Sequence, residues 1–480
     1  MPTTTHSKKT TAAAVAAGAV PADEVMVSLY QAQKKIYPRS VTGLFAKWRW
    51  FFVYATQIFF YGLPWLQWGE RQAVLFDLDT RRFYIFGLVL YPQDVIYLSG
   101  ILIISAMLLF LFTAVAGRQW CGYACPQTVY TEIYLWIEKK IEGDRSARMR
   151  LDAAPMSAAK FTRKALKQLA WIAVGLWTGF TFVGYFTPIH ELALHFVQWT
   201  LGPWELFWIF FYGFATYGNA GYMREQVCKY MCPYARFQSA MFDKDTLIVT
   251  YDTARGEPRG ARSRKTDHRA AGLGDCVDCT LCVQVCPTGI DIREGLQYEC
   301  ISCAACIDVC NGVMDKVGYP RGLIRYSTEN ALAQGWSGRQ ILRHVLRPRV
   351  LIYSGILAAL TIALFSSLIL RTPFKVDIVR DRATLARIVD GSKIENVYRV
   401  QIMNATEKPQ TYQISVSGLQ GIQLVTEPRV TVAAAEGLWV PVRLQLPYEG
   451  AKPGSHEIHI DVKSEQTGQV SEKSVFIVPR

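Results

Sequence analysis

Two long apolar runs stand out along the chain. Val95 to Val115 and Val350 to Leu370 contain no charged residue. Each is long enough to cross a hydrocarbon layer of about 30 Å as a helix. Three further segments repeat the pattern less purely. About Trp48 to Trp68 is aromatic-rich and carries Gly62 and Pro64; about Gln168 to Thr187 is stopped by Pro188; about Leu201 to Ala220 has Pro203 near its start and is weakened by Glu205 and several glycines. Together they predict five membrane spans. Beyond Leu370 the period shortens to two. The stretches "VYRVQIMNAT", "QTYQISVSG", "RVTVAAAEGLWVPVRLQLP", "HEIHIDVKS" and "KSVFIVP" alternate apolar with polar residues, and turn signals such as "EKPQ" and "YEGAKPGSH" separate them. About seven short strands in about 100 residues predict an immunoglobulin-like β-sandwich, here without the cysteine pair of antibody domains.

Charge orients the spans. Lys34, Lys35, Arg39, Lys47 and Arg49 lead into the first. Many more cations, among them Arg118, Lys139, Lys140, Arg145, Arg148, Arg150, Arg163, Lys164 and Lys167, lie between the second and third, and Pro188 to Gly202 has none. Basic loops stay inside, so the N-terminus is expected in the cytoplasm and, after five spans, the C-terminus outside. The same distribution accounts for the net charge of +13 without nucleic acid as a partner. The first fifty residues are polar and Ala-rich, lack the pattern of a secretory signal, and read as a cytoplasmic tail.

All twelve cysteines fall between Cys121 and Cys310. That confinement to the predicted inner side suits thiolate ligands in a reducing compartment. In "DCVDCTLCVQVCPTGIDI" the spacing C-x2-C-x2-C-x3-C-P is the ligand run of a bacterial [4Fe–4S] ferredoxin, and "CISCAACIDVCN" repeats it with Asn311 in place of the proline. Three closely spaced thiolates wrap one cubane while the fourth reaches the neighbouring one. This assigns Cys276, Cys279, Cys282 and Cys310 to one cluster and Cys300, Cys303, Cys306 and Cys286 to the other. Structural zinc, which prefers two separated pairs of ligands, fits poorly, and so does a disulfide scaffold.

The other four cysteines form an internal repeat. "RQWCGYACPQTVYTEIY" follows span two and "REQVCKYMCPYARFQSAM" follows span four, each with Cys-x-x-x-Cys-Pro just past a helix end. Residues four apart share one helix face, so Cys121 with Cys125, and Cys228 with Cys232, are expected to converge, and pseudo-symmetric packing would bring all four together. Cu(I), zinc or an iron–sulfur centre would suit such soft ligands. Dithiol–disulfide cycling and plain burial at helix ends are the alternatives. His190, Glu191 and His195 on the outer side offer a metal or quinone-edge site or simply an interface. Glu205 near a span end offers a proton or quinone path, His456 and His459 read as surface, and the basic stretch "RGEPRGARSRKTDHR" as a lipid-headgroup tether or a solvated linker.

The stretches "RGEPRG", "GDCVDCTLCVQVCPTGIDIREGLQYECISCAACIDVC" and "VMDKVGYPRGLIRYSTEN" closely resemble the cytochrome c oxidase accessory proteins of the CcoG (FixG/RdxA) family. The Cys-x-x-x-Cys-Pro hairpins are also similar to those of NapH- and NosR-type membrane ferredoxins. The resemblance implies a bacterial inner-membrane protein that reduces Cu(II) to Cu(I) during assembly of cbb3-type cytochrome oxidase, with the oxidase subunits and a copper-transporting P-type ATPase as partners. A quinol-linked electron wire and a non-redox assembly scaffold are the competing readings. The expected layout is a tail over 1–45, a four-span membrane domain over 46–242, a basic linker over 243–270, a two-cluster ferredoxin domain over 271–330, an amphipathic segment and fifth span over 331–371, and a periplasmic immunoglobulin-like domain over 372–480.

Overall fold

The computed structural model describes residues 35–263, 270–381, 386–389, 392–450, 452–465 and 468–479. Most of the expected N-terminal tail and residues 264–269 of the basic linker lie outside the described residues.

Helix α1 (Leu44–Gly62) begins the folded chain, and Pro64 in the turn that follows ends it. The expected first span therefore stops six residues early. In its place come β1 (Gln67–Trp68) paired with β2 (Arg71–Gln72), and a sheet of β3 (Val74–Asp77), β4 (Arg82–Ile85) and β5 (Leu88–Leu90). Strands of two to four residues are too short to display an alternation. Helix α2 (Val95–Ala116) then runs back to a short α3 (Gln119–Tyr123), α4 (Pro126–Glu142) and α5 (Arg145–Ala153). A second hairpin follows: α6 (Ala158–Val183), α7 (Ile189–Gln198) and α8 (Pro203–Thr216), which loosens into π-helical turns at Tyr217–Met223 and Val227–Met231 before α9 (Pro233–Met241). Helices α6 and α8 touch through glycine. A Cβ on Gly179 would stand 2.1 Å from the Ile209 carbonyl oxygen, the close small-residue contact that membrane helices use.

Strand β6 (Ile248–Tyr251) leads through α10 (Thr253–Gly256) into the cysteine-rich unit with α11 (Leu281–Gln284) and α12 (Ala305–Val317), and β7 (Ile324–Ser327) returns antiparallel to β6. After α13 (Glu329–Gln334) and α14 (Gly338–Val345), α15 (Pro348–Leu370) lies antiparallel to α2: Tyr97 meets Ser367 at one end and Arg347 donates to the Ala114 carbonyl at 2.6 Å at the other. Pro92–Ala116, Ala158–Val183 and Pro348–Leu370 are, among the described residues, the helices long and apolar enough to cross a membrane. With exposed Ile96, Leu102, Ile362 and Ile369 facing outward, the chain is a helical membrane protein. Helices α1 and α8 stand where the other two spans are expected but do not join these three, α8 being only 14 residues long.

The tail domain is a two-sheet sandwich, as expected, of nine strands among the described residues. One sheet orders β12 (Gln423–Leu424), β14 (Gly437–Pro447), β10 (Lys393–Asn404) and β8 (Phe374–Arg380), with β9 (Arg387–Val389) also on β10; the other orders β13 (Arg429–Val432), β11 (Gln410–Ser417), β15 (Gly454–Ser464) and β16 (Gly468–Val478). Strands β9 and β12, only three and two residues long, are those beyond the expected seven. Tyr398, Val400, Val442, Leu444, Ile460 and Phe476 fill the space between the sheets. This sandwich stands on the β3–β5 layer, where Leu75, Tyr84, Val89 and Tyr91 share a core with Met403. It occupies the end of the helices at which α2 begins and α15 ends, opposite the cysteine-rich unit.

Candidate functional site

The two ferredoxin loops have matching backbones. Asp278 and Thr280 flank Cys279 with left-handed φ values of 50° and 54°, and Ser302 and Ala304 flank Cys303 with 53° and 59°. Such alternation of conformation turns successive amides toward one concave side that favours an anion. Cys276, Cys279, Cys282 and Cys310 line one cavity with about 370 Å³ of atom-free volume. Cys286, Cys300, Cys303 and Cys306 line a second of about 350 Å³, and Cys282 borders both. Within each set the sulfurs lie in electrostatic reach of one another: Cys310 with Cys282, Cys276 and Cys279, and Cys306 with Cys303, Cys300 and Cys286. These are the two quartets that the spacing predicts.

Burial pushes the Cys282 thiol up to about 11 and those of Cys300 and Cys310 up to about 12. Thiols in so apolar a setting keep their protons until a metal displaces them. Among the described residues no group of three or more His, Cys, Asp or Glu side chains is arranged to hold a single metal ion. The donor sets, the paired cavities and the concave amides all fit [4Fe–4S] clusters.

The hairpin cysteines adopt a geometry other than the expected single helix face. Cys121 lies in α3, whereas Cys125 caps the N-terminus of α4 and Pro126 takes the first helical position. Cys228 lies in a π-helical turn, whereas Cys232 caps α9 ahead of Pro233. The proline that completes the motif starts a new helix and breaks the old one. The four still lie in one neighbourhood across the break, although among the described residues no three of them are arranged to hold a single ion: Cys228 lies in electrostatic reach of Cys125, Cys121 and Cys232, and burial pushes its thiol up to about 12. Cys121 Sγ also meets Gln238 Oε1 at 3.5 Å.

This second set is pressed against the ferredoxin unit. A Cβ on Gly122 would stand 2.5 Å from the Ile301 carbonyl oxygen and 2.8 Å from Cys303 Cα, so only glycine fits between the two cysteines of the first motif. Cys121 packs in one cluster with Val285, Ile301, Cys303 and Ala305. Between Cys228 and Cys303 lies a cavity with about 440 Å³ of atom-free volume, walled by Arg49, Arg224, Glu132 and Thr128 among others. Arg118 donates to the Tyr298 carbonyl and reaches both Cys300 and Cys228 electrostatically.

Several residues of this neighbourhood escape a sequence reading. Asp308, between two ligands, accepts from the amides of Phe45 at 3.2 Å and Ala46 at 2.7 Å and so caps α1. Tyr326 donates to the Ser302 carbonyl at 2.6 Å and meets Tyr123 at 3.3 Å. Arg49 did carry a signal, a charge inside an apolar run. Of the histidines expected on the outer side, His195 Nδ1 is 3.7 Å from Glu205 Oε1, while His190 packs edge-on against Trp65. The start of the basic stretch is part of the fold, because Arg255 bonds Asp275 at 2.5 Å and the Arg321 carbonyl at 3.0 Å.

Three family models match stretches of the chain. Residues 223–329 match the family model described as "4Fe-4S dicluster domain" and residues 98–143 the "4Fe-4S binding domain", while residues 364–479 match the "IG-like fold at C-terminal of FixG". The chain is 39% identical over 447 residues to nitrogen fixation protein FixG of Rhizobium meliloti (strain 1021), covering 86% of this chain and 85% of that one. It is 39% identical over 421 residues to protein RdxB of Cereibacter sphaeroides, covering 85% and 88%, and 38% identical over 422 residues to protein RdxA of the same organism, covering 86% and 87%. The crystal structure of a FixG-related protein from Vibrio parahaemolyticus aligns at 23% identity and a TM-score of 0.21 over 22% of this chain and 95% of that chain.

Proposed function

Because the chain belongs to the FixG/RdxA family, we propose that its iron–sulfur electron transfer serves to reduce Cu(II) to Cu(I) for the assembly of cbb3-type cytochrome oxidase. The observation that carries this reading is the contact of the first Cys-x-x-x-Cys-Pro segment with the Cys303 loop, through Gly122 and the core shared by Cys121, Ile301 and Cys303. Bound clusters supply a store of single electrons, of the low potential common in ferredoxins. The chain supplies the landing site. Cys121, Cys125, Cys228 and Cys232 offer soft sulfur to the cuprous product, which thiolates stabilise over the cupric form. Raised thiol pKa values mean that copper displaces protons as it binds. One electron converts one Cu(II) to Cu(I).

In this reading the protein is a multi-pass protein of the bacterial inner membrane with its N-terminus and ferredoxin unit in the cytoplasm and its sandwich in the periplasm. Its partners are the oxidase subunits and a copper-transporting P-type ATPase. The basic loops beside the spans and the opposite placement of the two domains support that sidedness. The test is Cu(I) formation by anaerobic, dithionite-reduced protein after removal of excess dithionite. Replacing Cys121, Cys125, Cys228 and Cys232 by serine is expected to abolish most of the rate while iron content stays full. An unchanged rate with intact clusters would remove copper chemistry from these residues.

A further inference from the structure

Arg49 projects from α1 within the run "WRWFFVYATQIFF" and is 6% exposed. Its Nε has no hydrogen-bond partner among the described residues. A buried cation is costly unless a negative group faces it. Two carboxylates lie in electrostatic reach, Glu132 and Asp308, and Asp308 is already engaged with the first amides of α1. Glu132 faces Arg49 from one side of a shared cavity, and Cys303 from the other: Arg49 and Cys303 wall that cavity, and each lies in the other's electrostatic reach, so a cluster bound there presents a second negative group.

Arg118 approaches from the first Cys-x-x-x-Cys-Pro segment. It is 2% exposed, its Nε is likewise without a partner among the described residues, and it donates to the carbonyl of Tyr298, two residues before Cys300. The other quartet has cations of its own: Arg293 reaches Cys282 but is clamped by Asp291 at 2.6 Å and Asp278 at 2.5 Å, so its charge is spent locally, and Arg262 Nη1 donates to the Cys276 carbonyl at 3.4 Å.

We propose that Arg49 and Arg118 are the counter-charges of the cluster held by Cys286, Cys300, Cys303 and Cys306, and that they make the site against the membrane cysteines easier to reduce. The physical reason is that reduction adds one negative charge, which a fixed buried cation stabilises. The proposal rests on the iron–sulfur reading and not on copper, so failure of copper reduction leaves it standing.

The experiment is an EPR-monitored redox titration of the whole, anaerobically purified protein, without copper. Arg49→Met and Arg118→Met are each expected to lower one of the two midpoints and leave the other. The shift expected is about a tenfold smaller ratio of reduced to oxidised cluster at fixed potential, about 59 mV for a one-electron couple. Arg49→Lys, which keeps the charge, is expected to stay near wild type, as is Arg321→Met at the exposed pair with Asp315. Cys303→Ser identifies which signal belongs to the affected site. Unshifted midpoints in both methionine variants at full iron content would overturn the proposal, and so would a lysine variant shifted as far as the methionine one. Should Arg49→Met fail to retain iron, Arg118→Met decides: an unshifted midpoint there overturns it.

Discussion

Glu138 shows how single residues tie the two cysteine hairpins together. Its side chain is 4% exposed, with Arg148 Nη1 and Arg224 Nη2 each at 2.6 Å and Lys167 Nζ at 4.0 Å. Burial alone would raise its pKa, but Arg224, Arg148 and Lys167 outweigh that and hold it below the ordinary 4.5. A depressed folded pKa gives stability that is complete above the ordinary glutamate range and disappears as pH falls through the lower folded value. Glu138→Gln leaves two arginines against a neutral amide and is expected to cost about 3 kcal/mol at neutral pH. It is also expected to flatten the acid limb of unfolding temperature against pH below about 4.5, and identical acid limbs in variant and wild type would refute the linkage. Gly122→Val tests the neighbouring contact. The added side chain must displace the Cys303 loop, so iron content is expected to fall from about eight to about four per chain, and full iron would show that the loop can yield. The two quartets of ferredoxin-type cysteines were legible as groups because their spacing is local. Arg49, Gly122 and Tyr326 were not legible as parts of the site, because their roles come from contacts between segments far apart in sequence.

At the scale of elements, the long helices α2, α6 and α15 were readable because an apolar run of about twenty residues has few other destinations. Two things defeated the pattern. The β1–β5 layer is built from strands too short to alternate, and the Cys-x-x-x-Cys-Pro motif looks like one helix yet is two, because Pro126 and Pro233 each open a new one. The start of α1 shows a further limit. Its N-cap residue, Gly43, has no side chain to offer, and the cap comes from Asp308 in α12. A membrane helix and a cluster-bearing helix are thereby joined through one carboxylate. Asp308→Ala is expected to lower stability by about 1 kcal/mol. The more telling readout is amide hydrogen exchange, which should quicken at Phe45 and Ala46 and leave α2 unchanged; unaltered protection there would mean that the cap is not holding the helix.

The whole molecule separates its two chemistries by the length of its helices. The 22 residues of α2 span about 33 Å as an α-helix, enough to cross a hydrocarbon core of about 30 Å. Every cysteine therefore gathers at one end, and at the other the sandwich is braced by Asp94, which Lys375 meets at 2.6 Å and Arg371 at 3.7 Å. Braced in this way, the sandwich should be held at the membrane surface and not swing on a tether. The chain has no cysteine after Cys310, so a thiol introduced at exposed Gln413 on β11 would be unique to that end. With the proposed sidedness, a membrane-impermeant maleimide applied to intact spheroplasts is expected to label Gln413→Cys and to spare the twelve native cysteines. Permeabilised or inverted vesicles should open the native set instead. Labelling of the native cysteines in intact spheroplasts would turn the molecule over. It would then put the thiolates in an oxidising compartment where their pairing into disulfides competes with iron, and the electron-transfer reading would lose its chemical setting.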